Sequence, residues 1–265
     1  MIGIVVKMIG QQNLLNKINS YDIVNFPHSI LLVGERGSEQ DEVCSYISNK
    51  FGFTSVDITE MLNKDIIDYI SQVKVMTLYI VKISELDEKN QNVLLKLFEE
   101  PSEYAYIILL CENDNLVLET IKTRSYRLNM DKYTRDILEP LIENEDKDLV
   151  LSICHTPGQI EVANHTDIKS LFDLCSNLPE LLKYMSLYDV LKYSDKINFS
   201  DEYDKYDLFL FIRVLRKVLI NYSNLYKCII DLDMYVWLLQ SVQVYDISIA
   251  LNLYLHSQSK AQVYL

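Results

Sequence analysis

Three short apolar runs set the architecture of the first half of the chain: SILLV at Ser29–Val33, TLYIVKI at Thr77–Ile83 and AYIILLC at Ala105–Cys111. Each is rich in branched or aromatic side chains, and each has the length of a buried strand. The stretches between them carry helical spacing. In the clearest, Asn90–Glu100, Val93, Leu94, Leu97 and Phe98 line one face, and Pro101 stops the helix. Strands alternating with helices predict a parallel sheet covered by helices on both faces.

After Met130 the strand signals fade. Residues 131–165 read as two or three short helices with an acidic turn at Glu143–Asp148, and the remainder to Leu265 is helical in pattern. Leu208, Phe211, Ile212, Leu215 and Leu219 fall on one helical face, and Trp237 stands in a second apolar stretch. That stretch, Met234–His256, carries Asp246 and several polar residues. Its apolar positions Tyr235, Leu238, Leu239, Val242, Ile249 and Leu253 recur near helical spacing, so a packed helix is expected rather than a membrane span. The expected divisions are 1–130, 131–165 and 166–265.

The balance of charge limits the function. A net charge of −13 argues against a protein that binds nucleic acid by itself. An acidic subunit working beside basic partners fits. The five cysteines, Cys44, Cys111, Cys154, Cys175 and Cys228, form no C-x-x-C pair, so no metal site is expected. They suit reduced thiols, and the first residues carry too short an apolar run for a signal peptide, so a cytoplasmic protein is expected.

Between the first strand and the next helix lies GERGSEQDEV, Gly34–Val43. A phosphate-binding loop of the form G-x-x-x-x-G-K-[ST] occupies such a place. Its backbone N–H groups cradle phosphates, its lysine reaches the outer phosphates and its hydroxyl ligates magnesium. Here Gly34 and Gly37 remain, but Glu39 stands at the second glycine, Gln40 at the lysine and Asp41 at the hydroxyl. Glu39, Asp41 and Glu42 put negative charge where phosphates would sit. Each such repulsion costs about 1 kcal/mol at 4 Å even in water. On these residues alone, an ordinary strand-to-helix turn reads as well as an abandoned nucleotide loop.

Five stretches in order resemble those of clamp-loader AAA+ subunits. MIGQQNLLNKI (Met8–Ile18) and FPHSILLVGERG (Phe26–Gly37) resemble their opening. NVLLKLFEEP (Asn92–Pro101) resembles the helix after their second acidic motif. ETIKTRSYRL (Glu119–Leu128) resembles their Ser-Arg-Cys segment, with Thr123, Arg124 and Ser125 at its three places, and HTPGQI (His155–Ile160) resembles the Ser-Pro-Gly segment of their lid. The resemblance covers about the first 165 residues. It implies an α/β AAA+ domain over 1–130, a small helical lid over 131–165 and an all-α collar over 166–265.

Within that family the chain is most similar to the delta-prime members, which do not hydrolyse ATP. Val81 and Lys82 stand where hydrolysing subunits carry Asp-Glu, the pair that holds magnesium and activates water. Glu85, Asp87 and Glu88 lie past the strand end in this register and read as a solvated helix start. Cys111 and Glu112 replace the sensor threonines, and the segment Pro157–Ile160 offers no arginine. The resemblance therefore implies no cofactor on this subunit, with ATP and Mg at a partner's site. Delta-prime subunits of bacteria carry a cysteine-ligated zinc module after the loop. Only Cys44 falls there, and the chain is shorter, which suits a reduced version such as a viral one working in host cytoplasm.

What the resemblance leaves active is Arg124. In clamp loaders this arginine points into the neighbouring subunit's ATP site, where a guanidinium stabilises charge developing on the γ-phosphoryl group. Arg127 is a second candidate contact. The implied partners are homologous clamp-loader ATPase subunits, a sliding clamp and primed DNA, with no membrane. Two other readings stay open on the sequence: a divergent AAA+ ATPase that still hydrolyses, and an AAA+-derived interaction module outside clamp loading.

Overall fold

A computed structural model of the chain describes residues 8–62, 64–112, 114–182, and then 210, 213, 214 and 216–218. Compact packing divides it into two units. The first takes in residues up to Ile137 together with Thr156–Gly158, and the second Leu138–His155 and the described residues from Gln159 on.

The first unit is built on five strands: β1 (Ser29–Val33), β2 (Thr54–Asp57), β3 (Thr77–Lys82), β4 (Ala105–Cys111) and β5 (Tyr126–Asn129). All pair in parallel, in the order β2-β3-β4-β1-β5. α1 (Gln12–Asn19) precedes the first strand, and the helices between strands are α2 (Gln40–Phe51), α3 (Lys64–Gln72), α4 (Glu88–Glu99) and α5 (Glu119–Lys122). The expected parallel sheet with flanking helices is present, and it fits an AAA+ α/β domain.

Period-two alternation sorts the strand residues between two cores. Leu31, Tyr79, Val81, Ile107, Leu109 and Cys111 pack on one face with Leu94, Leu97 and Phe98 of α4 and Ile121 of α5. Ile30, Leu32, Leu78, Tyr106, Ile108, Leu110 and Leu128 pack on the other with Leu14 and Ile18 of α1 and Val43, Cys44 and Ile47 of α2. Every residue of β4 is buried, because it is central and covered on both sides.

β1, β3 and β4 are the three expected strands, and β2 and β5 are additional to them. Both additional strands are edges of four residues, and most of their side chains are exposed. TSVD and YRLN therefore carry no apolar run to reveal them. The α4 boundaries follow local chemistry. Asp87 caps the start by accepting from the Asn90 N–H at 2.7 Å, and Pro101 excludes continuation.

α6 (Arg135–Leu138) closes the first unit, with Leu138 alone counted in the second, and the second unit holds α7 (Lys147–Ile153), most of α8 (Pro157–Asn164) and α9 (Ile168–Leu182). Asn164 ties its loop together, donating to the Leu141 carbonyl at 2.8 Å and accepting from the Glu143 N–H at 3.0 Å. Arg213 donates to the Ile153 carbonyl at 2.8 Å, closing the end of α7. Leu210, Val214 and Val218 are buried at i, i+4, i+8 spacing. The expected stripe at Leu208, Phe211, Ile212, Leu215 and Leu219, the segment Met234–His256, Trp237 and Cys228 lie outside the described residues. No helix among those described is long and apolar enough to cross a membrane.

Candidate functional site

The loop after β1 is built by close approach. The Gly34 N–H donates to the Cys111 carbonyl at 3.0 Å, so β1 stays paired with β4 one residue past its end. A Cβ on Gly34 would stand 2.4 Å from both Met130 Cγ and Ser38 Oγ, so only glycine fits. Gly37 then turns with φ of +76°, and Glu39 with φ of +61°. Among the described residues Glu39 is the one non-glycine with positive φ. An L-residue held there costs about 1 kcal/mol, and this is the position where a phosphate loop has its second glycine. The backbone shape that glycine would ease is thus present with a glutamate carrying it.

Gln40 opens α2 with its side chain turned toward the sheet. Its amide donates to the Leu32 carbonyl at 2.9 Å and the Cys111 carbonyl at 3.2 Å, bridging the carboxyl ends of β1 and β4. Asp41 is exposed and Glu42 half-buried, and both add acidic charge to the first turn of α2. That charge already complements the positive helix end.

A residue the sequence did not single out completes the loop. The Tyr133 hydroxyl donates to the Ser38 carbonyl at 2.9 Å and lies beside the Glu39 carboxyl. Burial, then repulsion from Glu42, holds the Glu39 carboxyl above the usual carboxylate range, opposed by hydrogen bonds from the Ile9 N–H and Tyr133. Burial and the Glu39 charge in turn push the Tyr133 phenol upward. The Gln11 side-chain amide accepts from the Asp131 N–H at 2.7 Å and donates to the Asp131 carbonyl at 3.1 Å, fixing the segment that carries Tyr133. Ser38 Oγ and Glu39 Oε2 are buried without a hydrogen-bond partner among the described residues.

Thr156–Gly158, within the first unit, meets the same loop. Thr156 donates to the Arg36 carbonyl at 2.8 Å, and the Gly158 N–H donates to the Gly37 carbonyl at 3.0 Å. A Cβ on Gly158 would lie 2.8 Å from Gly37 Cα, so the two glycine backbones touch.

At the end of β3, Val81 is fully buried and Lys82 reaches toward Asp57, Nζ to Oδ2 at 3.9 Å. Asp57 also accepts from the Thr59 N–H and hydroxyl at 2.9 and 2.7 Å. Glu85 and Glu88 are exposed beyond the strand, and Asp87 serves as the α4 cap. Cys111 is buried inside the sheet and Glu112 is exposed. Among the described residues no group of three His, Cys, Asp or Glu side chains is arranged to hold a metal ion.

Arg124 lies apart from the loop contacts, just after α5. Its guanidinium donates to the Thr120 carbonyl at 3.1 Å and pairs with Glu99, the last residue of α4, also at 3.1 Å. Its side chain remains 40 % exposed, enough to meet another molecule. Arg127, on β5, pairs with Asp114 and donates to Asn129 Oδ1 at 2.9 Å. Tyr133 belongs to no motif and its partner Ser38 lies 95 residues away, so no local signal marks it; Glu99 falls inside the NVLLKLFEEP stretch, where nothing local marks its contact with Arg124.

Residues 45–134 match the model of the family described as DNA polymerase III, delta subunit, which supports the clamp-loader resemblance. Among solved structures, a DNA polymerase III gamma subunit-related protein from Thermotoga maritima is similar at 17 % identity and a TM-score of 0.48, covering 93 % of this chain and 97 % of that one. The RuvB Holliday junction branch migration motor of Thermotoga maritima is similar at 16 % identity and a TM-score of 0.45, covering 78 % of each chain. No curated protein matches the chain.

Proposed function

We propose that the chain is a non-hydrolysing subunit of a sliding-clamp loader in DNA replication, nearest in kind to delta-prime. The observation that carries this reading is the loop at 34–40. Its backbone turns through two left-handed residues, Gly37 and Glu39, while Gln40 is folded onto the ends of β1 and β4. A turn with no nucleotide-binding ancestry has no reason to keep a strained glutamate at the second glycine. These residues do not fit a magnesium–triphosphate: Gln40 donates inward, and a half-buried carboxylate lies beside the loop. Lys82 likewise pairs with Asp57 at the end of β3, where the metal-holding acids would stand.

Arg124 is the group that acts, in trans. It is always charged, presents a planar fork and stays 40 % exposed just after α5. The partner is a homologous subunit with an intact loop, which supplies ATP and Mg. The clamp and primed DNA are engaged by the assembly.

Two measurements test the reading. The purified chain should turn over no ATP, and should co-purify with an AAA+ subunit carrying G-x-x-x-x-G-K-[ST]. Turnover by the pure chain that a Lys82 or Gln40 substitution abolishes would sink the non-hydrolysing assignment. Failure to capture any such subunit would sink the clamp-loader assignment.

A further inference from the structure

We propose that Glu99 is a positioning residue for Arg124, setting the orientation from which its guanidinium reaches a neighbouring subunit's phosphoryl group. The inference rests on the reading of Arg124 as an arginine finger and adds the residue that aims it.

The geometry is specific. Arg124 follows the single turn of α5, where a long side chain would otherwise sample many rotamers. Two acceptors on different elements remove that freedom. The Thr120 carbonyl binds one terminal nitrogen at 3.1 Å, and Glu99 Oε1 binds the other at 3.1 Å. Two fixed terminal nitrogens set both the direction and the plane of the fork.

A carboxylate beside a finger can also act as a competitor for phosphate, and the contact itself decides between the roles. Glu99 Oε1 meets Arg124 Nη2 while the Thr120 carbonyl takes Nη1, so each terminal nitrogen has its own acceptor and keeps a second N–H. The Glu99 side chain is 53 % exposed, which holds its repulsion of an incoming phosphate to about 1 kcal/mol at 4 Å. Set against that is the orientation of the fork, which the two acceptors fix. Exposed ion pairs contribute little to folding stability, so removing the charge should leave the chain folded.

The test compares four forms of the chain, each assembled with the intact-loop AAA+ subunit that co-purifies with it: native, Glu99→Gln, Arg124→Ala and the double variant. ATP turnover is measured with primed DNA and clamp, resolving kcat from KM. Glu99→Gln should lower the Arg124-dependent part of kcat about two- to five-fold, the range an exposed pair can supply, with KM unchanged. Arg124→Ala should remove that part altogether, and adding Glu99→Gln to it should change nothing more. The proposal is overturned if Glu99→Gln leaves kcat unchanged or raises it while Arg124→Ala lowers it. It is equally overturned if Glu99→Gln still lowers kcat in the Arg124→Ala background. If Arg124→Ala itself changes nothing, the finger reading fails, and the positioning role falls with it.

Discussion

The loop after β1 and the turn before β5 belong to the same unit, and they are held by opposite means. At the loop the contacts are packed and long-range: Gln40 with two strand ends, Tyr133 with Ser38, Thr156 and Gly158 with Arg36 and Gly37. At Arg124 they are an exposed ion pair and one bond to the preceding turn. Buried contacts tie a side chain to folding free energy, and exposed ones leave it available to a second molecule. Substitutions in the loop should therefore be read in stability, and substitutions at Arg124 in a partner's chemistry.

The largest expected effect is at Arg124. Arginine fingers supplied in trans are worth about 10³–10⁵ in rate at the site they face. Arg124→Ala in the assembled complex should silence that site, while total turnover falls only by its share among several sites. Arg124→Lys should rescue poorly, since a point charge lacks the planar fork. Steady-state ATP turnover beside a sizing column checks both rate and assembly. An unchanged rate in a properly assembled ring would make Arg124 an ordinary surface cation and erase the contrast.

Gly158→Ala comes next. Its methyl would press on Gly37 Cα at 2.8 Å and the Gly37 carbonyl at 3.1 Å, both backbone atoms with little room to yield. Overpacking of this kind costs about 1–3 kcal/mol, measurable as a lowered urea midpoint. No loss of stability would mean that the segment 156–158 moves freely from the loop.

Gln40→Met keeps the length and removes both donors. The Cys111 carbonyl still accepts from Gly34, so the expected loss is about 1 kcal/mol. Gln40→Lys should not produce an ATPase, because Val81 and Lys82 supply no carboxylate for a metal. Turnover by that variant would show that the loop is closer to working order than its contacts imply.

The smallest effect has the opposite sign. Glu39→Gly should raise stability by about 1 kcal/mol through relief of the left-handed strain. Glu39→Gln isolates the charge. The folded chain raises this carboxyl above its unfolded range, so it binds the proton more readily than the unfolded chain does. The penalty is full at neutral pH and fades as pH falls through the folded value. Thermal melts of Glu39→Gln and native protein should therefore differ most near neutral pH and converge toward about pH 4. Parallel curves across that range would remove the buried charge from the account.

The sequence made the central strands legible because burial on both faces leaves β1, β3 and β4 nothing but apolar choices. It hid β2 and β5 because an edge strand needs only one packed face. The loss of lysine at Gln40 was visible in the motif register, but the inward turn of its amide was not, since that depends on Cys111 arriving beside Leu32. Tyr133 was invisible for the same reason: its partner Ser38 lies 95 residues away along the chain. Glu99 looked like one more acid at a helix end until the fold brought α5 against it.

The Gln40 bridge also says something about the order in which the molecule assembles. Its two acceptors lie 8 and 71 residues away, one on the strand just before the loop and the other on a strand that follows β2 and β3 in the chain. Closing that longer circuit carries the entropy of a large ring. The first turn of α2, local as it looks, can take its final form only when β4 docks against β1. Backbone amides at the loop should then gain their protection from hydrogen exchange with the central strands, later than those in the middle of α2.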